Sequence, residues 1–310
     1  MIDSIAYFLA RNGTRFMALG LFVGLAVPPL SAKLGPMLPM VVWVVLYLSM
    51  LRVNWGDIIA WRKRPLIVAS GMAFILLVSP LLMWLVLTLT GADKPLATGL
   101  VMMAASAPYT AVAAVAAILQ LDAALALVLL VLTTLLMPFV LPVLVVDGLG
   151  FDVALNSISL MQRLGTVVGI AVTLAVVSRH LIGKQRLARN AHRLDGLVVI
   201  MIVGFALALM DGVTAAFVDQ PARVGLIVGA AFTANAGLQC AAALAFWRFG
   251  RKLALTIGYA AGNGNLAIIL AVLPDNAHPD IALYFALGQF PMFLFPMLSR
   301  PLFLWLLRKE

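Results

Sequence analysis

Cysteine, histidine and acidic side chains are scarce in this chain, which has one Cys, three His and twelve Asp and Glu among 310 residues. The single cysteine, Cys240, excludes an internal disulfide and any multi-cysteine metal centre. It lies in an apolar run, where it reads as a small buried hydrophobe. His180, His192 and His278 fall in loops or at the ends of apolar runs, and no cluster of His, Cys and acid forms a catalytic constellation. Neither an enzyme nor a bound cofactor or metal is expected. Charge is thin as well: 11% charged against 64% hydrophobic residues, with a mean hydropathy of +1.10, excludes an ordinary soluble domain. The N-terminus lacks the apolar core of a signal peptide, Arg11 and Arg15 preceding the first long apolar run, so no cleaved signal is expected.

Long apolar stretches are abundant. Those able to cross about 30 Å of hydrocarbon, at roughly 20 residues each, run approximately over 14–32, 36–51, 65–90, 95–119, 122–146, 163–182, 195–217, 222–247, 252–273 and 280–305. The chain therefore reads as an all-α polytopic membrane protein of about ten transmembrane helices. The second stretch is the weakest, being short and opening with Pro36 and Pro39, and nine is the alternative count. Lys and Arg set orientation when counted over short loops. Seventeen of the 21 fall on the side that carries both termini, against Lys33, Lys94, Arg163 and Arg223 on the other. This asymmetry predicts a multi-pass protein of the inner (plasma) membrane with cytoplasmic N- and C-termini. It also accounts for the formal net charge of +9, since basic residues then lie among anionic headgroups of the lipid bilayer. No tail or patch suggests nucleic acid, and nothing in the sequence fixes an oligomeric state.

One unit recurs at an offset of 158 residues: Lys94, Asp122 and Pro138 return as Lys252, Asp280 and Pro296. The chain divides at the connection 147–162 and the basic loop 179–193 into 1–150 and 151–310, with five spans each. Five is odd, so the second half enters the membrane from the opposite side, and the expected architecture is a pair of inverted five-helix repeats. Each half carries one polar break inside an apolar span, SAPYT (Ser106 to Thr110) in the fourth and GNGN (Gly262 to Asn265) in the ninth. Lipid cannot satisfy broken backbone, so such breaks are tolerated where they line a cavity within the protein. Paired at corresponding positions, they point to the binding site of a secondary transporter. Inversion brings spans four and nine together near the bilayer centre, as discontinuous helices that cross.

The binding candidates follow from this placement. Pro108 removes a backbone donor, and Ser106, Tyr109 and Thr110 bring hydroxyls beside the freed carbonyls. Gly262 and Gly264 permit irregular backbone, while Asn263 and Asn265 bring amides that donate or accept. Asn235 and Gln239 lie one turn apart on the eighth span, facing the same way. Gln289 is placed to face the cavity from the tenth span, whereas Thr133 and Thr134 are expected to bond their own helix. Asp211 is the one acid well inside a span, which makes it the coupling candidate. Asp122 and Asp280 open helices, where a carboxylate stabilises the first turn.

The SAPYT break, the LDAAL start of the fifth span, the TTLLMP kink and the run RKLALTIGYAAGNGNLA resemble the bile acid:sodium symporter superfamily, which also includes arsenite-efflux permeases, over essentially the whole chain. The resemblance implies a panel domain of spans one, two, six and seven and a core domain of the remaining six. It implies transport of a small organic anion, with sodium as the inherited coupling ion. Departures matter more than matches. Val112 and Ala113 stand where the bile acid symporters have a Ser-Asn pair, and Ala126 and Leu130 where they use Ser and Thr. Gly258 or Thr256 stands in place of their span-nine Glu. Apolar side chains cannot replace a sodium ion's hydration shell, so a proton, or no coupling ion at all, is the alternative. Arsenite permeases carry a thiolate Cys in place of Tyr109, which argues against arsenite.

The expected function is therefore secondary active transport of a small organic anion by alternating access. Two alternatives stand beside it, an uncoupled facilitator or efflux permease and a transport-decayed membrane receptor or assembly partner. A receptor should carry signalling or docking domains, and no loop here is long enough to fold alone. GNGN lacks the strand context and Lys of a phosphate loop.

Overall fold

The computed structural model describes residues 8, 12–53, 55–274 and 276–308. Arg11 and Lys309, two of the seventeen basic residues placed on the cytoplasmic side, lie outside the described residues. Among the described residues the chain is helical and contains no strand. Seven stretches are long and apolar enough to cross a membrane: Pro28–Leu51, Pro65–Thr90, Ala123–Gly148, Ser157–Ile182, Ala191–Asp219, Pro221–Phe249 and Pro279–Leu307. The outward surface is correspondingly apolar, with Leu66, Leu89, Leu181, Val218 and Leu244 each more than seven-tenths exposed. Such a surface suits lipid rather than water. The chain is a multi-pass membrane protein.

Most boundaries follow local chemistry. Proline, which has no N–H to lose at a helix start, opens α2 (Pro28–Leu34), α5 (Pro65–Ala73), α14 (Pro221–Phe246) and α17 (Pro279–Leu287). Asp93 caps α7 (Lys94–Ala104), and Asp122 caps α9 (Ala123–Pro142) by accepting from the Leu125 N–H at 2.9 Å. Pro80 cannot donate to the turn before it, and a widened π turn at Phe74–Val78 joins α5 to α6 (Ser79–Thr90).

The boundary expected between the first two spans moves. α1 (Gly13–Ala26) stops at Val27, and Pro28 starts a helix that continues through a 3₁₀ turn at Gly35–Met37 into α3 (Leu38–Leu51). Lys33 accordingly lies in the last turn of α2 and not in a loop. The expected fourth and ninth spans are each split, into α7 and α8 (Val112–Ile118) and into α15 (Arg251–Gly262) and α16 (Leu266–Val272).

Contacts divide the chain into two compact units, Met1–Val53 with Val167–Gly225, and Asn54–Thr166 with Leu226–Glu310. The division falls within α10 (Ser157–Ile182) and α14, so each unit draws on both halves of the sequence. In the first unit α12 (Ala191–Leu209) packs along α1 and α3. Gly20 and Gly24 permit the close approach to α12: a Cβ on Gly24 would meet the Leu207 carbonyl oxygen at 3.0 Å. Polar groups fasten the unit's rim. The Arg179 guanidinium donates to the carbonyls of Leu51 and Val53, Arg52 pairs with Asp195, and Tyr47 donates to Ser178 at 2.9 Å. In the second unit α9 is the central element, with Leu125, Ala126, Leu129 and Leu130 buried against α4 (Trp55–Trp61), α5, α8 and α15. α7 packs on α6 and on α17, where Gly99 lies against the Tyr284 ring.

Candidate functional site

The two helix breaks of the second unit meet. The Tyr109 N–H donates to the Asn263 carbonyl at 2.9 Å, and the Asn265 N–H donates to the Ala107 carbonyl at 2.7 Å. Pro108 and Gly264 form the antiparallel bridge that these bonds flank. In such a non-hydrogen-bonded pair the central residues exchange no bond with each other, so the missing N–H of Pro108 costs nothing there. Close approach also requires Gly264, because any Cβ on it would run into the Met103 carbonyl oxygen and Ser106 Oγ. Ser106 donates to that same carbonyl at 2.7 Å, and the Ala107 N–H donates to Met137 Sδ at 3.3 Å. The proline, the glycine and the serine thus build the crossing.

A chain of buried amides and phenols runs away from it. Gln239 Nε2 donates to Asn235 Oδ1 at 2.5 Å, and Asn235 Nδ2 donates to Asn263 Oδ1 at 3.1 Å. Asn263 Nδ2 in turn donates to the Tyr259 carbonyl at 2.8 Å, and the hydroxyls of Tyr259 and Tyr109 share a hydrogen bond of 2.7 Å. Both sides of Asn263 are therefore spoken for, and a Cβ on Gly262 would fall 2.5 Å from the Asn235 carbonyl oxygen. The same two α14 residues support α15 from behind and steer its broken end. Tyr259 was not among the sequence candidates. Its signal was its place one turn before Asn263, masked by an apolar run in which a tyrosine reads as packing.

Other candidates fare differently. Asn265 Oδ1 accepts from the Ile268 N–H at 3.3 Å and caps α16, but Asn265 Nδ2 is buried without a partner. Thr133 donates to the Leu129 carbonyl, as expected, whereas the buried Thr134 Oγ1 has no partner. Thr134 lies one turn from Met137, whose sulfur receives the Ala107 N–H. Thr110 is the half-buried residue of an otherwise buried break. Gln289 is buried at the start of α18 (Gln289–Leu307), beside Gly288, which packs against Leu266. Among the described residues no hydrogen bond joins it to the amide chain.

One placement is refined and another corrected. Asp211 falls at a break within the stretch Ala191–Asp219: α12 ends at Leu209, Gly212 adopts a left-handed φ of +71°, and the exposed Asp211 sits on the turn, beside Gly35. Cys240 is exposed, on the wall of a mainly apolar cavity of about 220 Å³ that Gln239, Tyr259 and Phe303 also line. α14 turns that face outward.

The family model described as the Sodium Bile acid symporter family matches residues 39–230, well over half of the chain. The chain belongs to this family. As a family member it is a membrane transporter of the bile acid/sodium symporter type, for which a small solute and the lipid bilayer are the partners. The match includes the SAPYT break and ends before GNGN. No curated protein sequence matches the chain. In this symporter-family protein, Val112, Ala126 and Leu130 are fully buried apolar groups. Thr256 Oγ1 donates to the Lys252 carbonyl at 2.6 Å and accepts from the Asp122 N–H at 3.0 Å. A Cβ on Gly258 would lie 2.6 Å from the Gln239 carbonyl oxygen, leaving no room for a longer side chain.

Proposed function

We propose that the protein carries a small organic anion across the inner membrane by alternating access, with ten crossings arranged as two inverted five-helix repeats and both termini in the cytoplasm. In this reading the first unit is the panel and the second the core, and substrate is held at the crossing of spans four and nine. The observation that carries it is the pairing of two broken helices at Pro108 and Gly264, with the Nδ2 of the adjoining Asn265 buried and unsatisfied. A buried donor left without a partner costs about 1–3 kcal/mol, a cost relieved when a polar solute or water arrives. Thr110 offers the approach from the open side of the break.

Sodium is not the strong driver. Where related symporters place oxygen ligands, this chain has buried Val112, Ala126 and Leu130, a Thr256 hydroxyl already engaged at both ends, and a Gly258 without room to its side. A bare cation loses several kcal/mol for such missing contacts. Protons or the solute's own gradient then drive transport, with Asp211 the coupling candidate for protons. The test is uptake into proteoliposomes of small carboxylates first selected by thermal stabilisation of the purified protein. Uptake is expected to change little when an inward sodium gradient is imposed at constant voltage and pH, and Asn265→Ala is expected to reduce it by roughly tenfold or more. A steep response to sodium would overturn the coupling assignment. Uptake unaffected by the Asn265 variant would remove the crossing from the solute's path.

A further inference from the structure

A second cavity of the larger unit, about 540 Å³ in volume, lies at the starts of its helices, away from the crossing. Its walls carry Lys63, Arg64 and Lys252 against a single carboxylate, Asp122, with Trp61 and Phe249 beside them. The three cationic side chains are exposed, and among the described residues none of them makes an ion pair. Asp122 is committed to capping α9, and the lining keeps two net positive charges. Three helices begin at this place: Arg64, Asp122 and Gly250 are the N-terminal caps of α5, α9 and α15. Their positive ends add to the field of the side chains. The Arg64 guanidinium lies 6.0 Å from the centre of the Trp61 ring, and Phe249 is exposed, as suits aromatics at headgroup depth. Lys252 stands eleven residues before Asn263 on the same helix, a separation of roughly 16 Å at 1.5 Å per residue, so the cavity is distinct from the crossing.

The geometry points to a structural site for a dianionic phospholipid headgroup, one carrying two phosphates as in cardiolipin. Two negative charges match the net charge of the lining. The volume is generous for a lone phosphate, and the site opens at the ends of apolar helices where a lipid's acyl chains can continue along the exposed hydrophobic surface. Basic pockets between transmembrane helices bind such headgroups. The lipid would tie together the first turns of α5, α9 and α15, elements that are distant in sequence.

The test is native mass spectrometry and thermal unfolding of the full chain in detergent, with cardiolipin, phosphatidylcholine or inorganic pyrophosphate added in separate arms. Cardiolipin should stay bound and raise the melting temperature, while phosphatidylcholine and pyrophosphate do neither. The K63Q/R64Q/K252Q protein should bind cardiolipin on the order of a hundredfold more weakly, each cation near a membrane surface contributing several-fold. K63Q and K252Q alone should each weaken binding several-fold, which keeps the test valid if the triple variant fails to fold. R248Q/R300Q/R308Q, which removes as many charges outside the cavity, should bind as the wild type does. Equal cardiolipin binding by the wild type and the cavity variants, or an equal loss in the control, would overturn the site. Stabilisation by pyrophosphate alone would make it a soluble-anion site, and an equal effect of phosphatidylcholine would make the contact nonspecific; either outcome defeats the proposal.

Discussion

At the residue scale the Tyr109–Tyr259 pair is the clearest energetic unit of the crossing. Both rings are buried and their hydroxyls are 2.7 Å apart, each the other's hydrogen-bond partner. Deleting one hydroxyl strands the other, at about 1–3 kcal/mol. Deleting both leaves an edge-to-face ring pair with nothing unsatisfied. Tyr109→Phe and Tyr259→Phe should therefore each destabilise the protein by about 1–2 kcal/mol, and the double variant by distinctly less than the sum. Unfolding in detergent across the four proteins checks this, and simple additivity would show that the hydroxyls are independent. Residue detail of this kind was only partly legible in the sequence. Asn263 and Asn265 stood out because amides are rare in apolar runs, but Thr133 and Thr134 are equivalent as letters, and the packing around α9 decides which one is satisfied. The turn at Asp211 had a signal too, since Asp-Gly is a turn dipeptide.

At the element scale the glycines separate into those that hold helices together and those that do not. Gly262 has the Asn235 carbonyl oxygen 2.5 Å from where its Cβ would sit, whereas Gly229 in α14 has open space. Gly262→Ala should cost about 1–3 kcal/mol through forced displacement of α15 from α14. Gly229→Ala should gain about 0.5–1 kcal/mol, because alanine loses less backbone entropy in a helix. Melting temperatures of the two variants should move in opposite directions, and a shared direction would discount the close packing of α15. Helix ends were well marked in the sequence wherever proline or aspartate supplied a cap. The stretch expected at 65–90 is Pro65–Thr90, and that at 122–146 is Ala123–Gly148. The misplaced boundary at Val27 arose because Pro28 and Pro29 were read as part of a span rather than as the start of one.

At the scale of the whole molecule, order along the chain and grouping in space differ. The repeat spacing leads one to expect two sequence halves, while each compact unit gathers segments from before and after residue 150. Charge counting and repeat spacing report on order and sidedness, but the choice of packing partner rests on glycine contacts and side-chain fit such as that of Gly24 against α12. Sidedness carries its own prediction. If the ten-span reading holds and seventeen of the 21 basic residues share the side of the termini, a reporter fused after Glu310 should be active as a cytoplasmic reporter and silent as a periplasmic one. The opposite result would overturn the cytoplasmic placement of the C-terminus and the ten-span count that rests on it.

The paired bonds between Ala107, Tyr109, Asn263 and Asn265 also act as a rivet. Two backbone bonds running in opposite senses resist sliding in either direction, so the broken helices must travel as one piece whenever the protein changes state. Their amides, although non-helical, should then exchange with deuterium as slowly as those in the core of α9, in contrast to the connection 149–156. Rapid exchange at Tyr109 and Asn265 would mean instead that the rivet opens, and that the moving part of this transporter is the crossing itself.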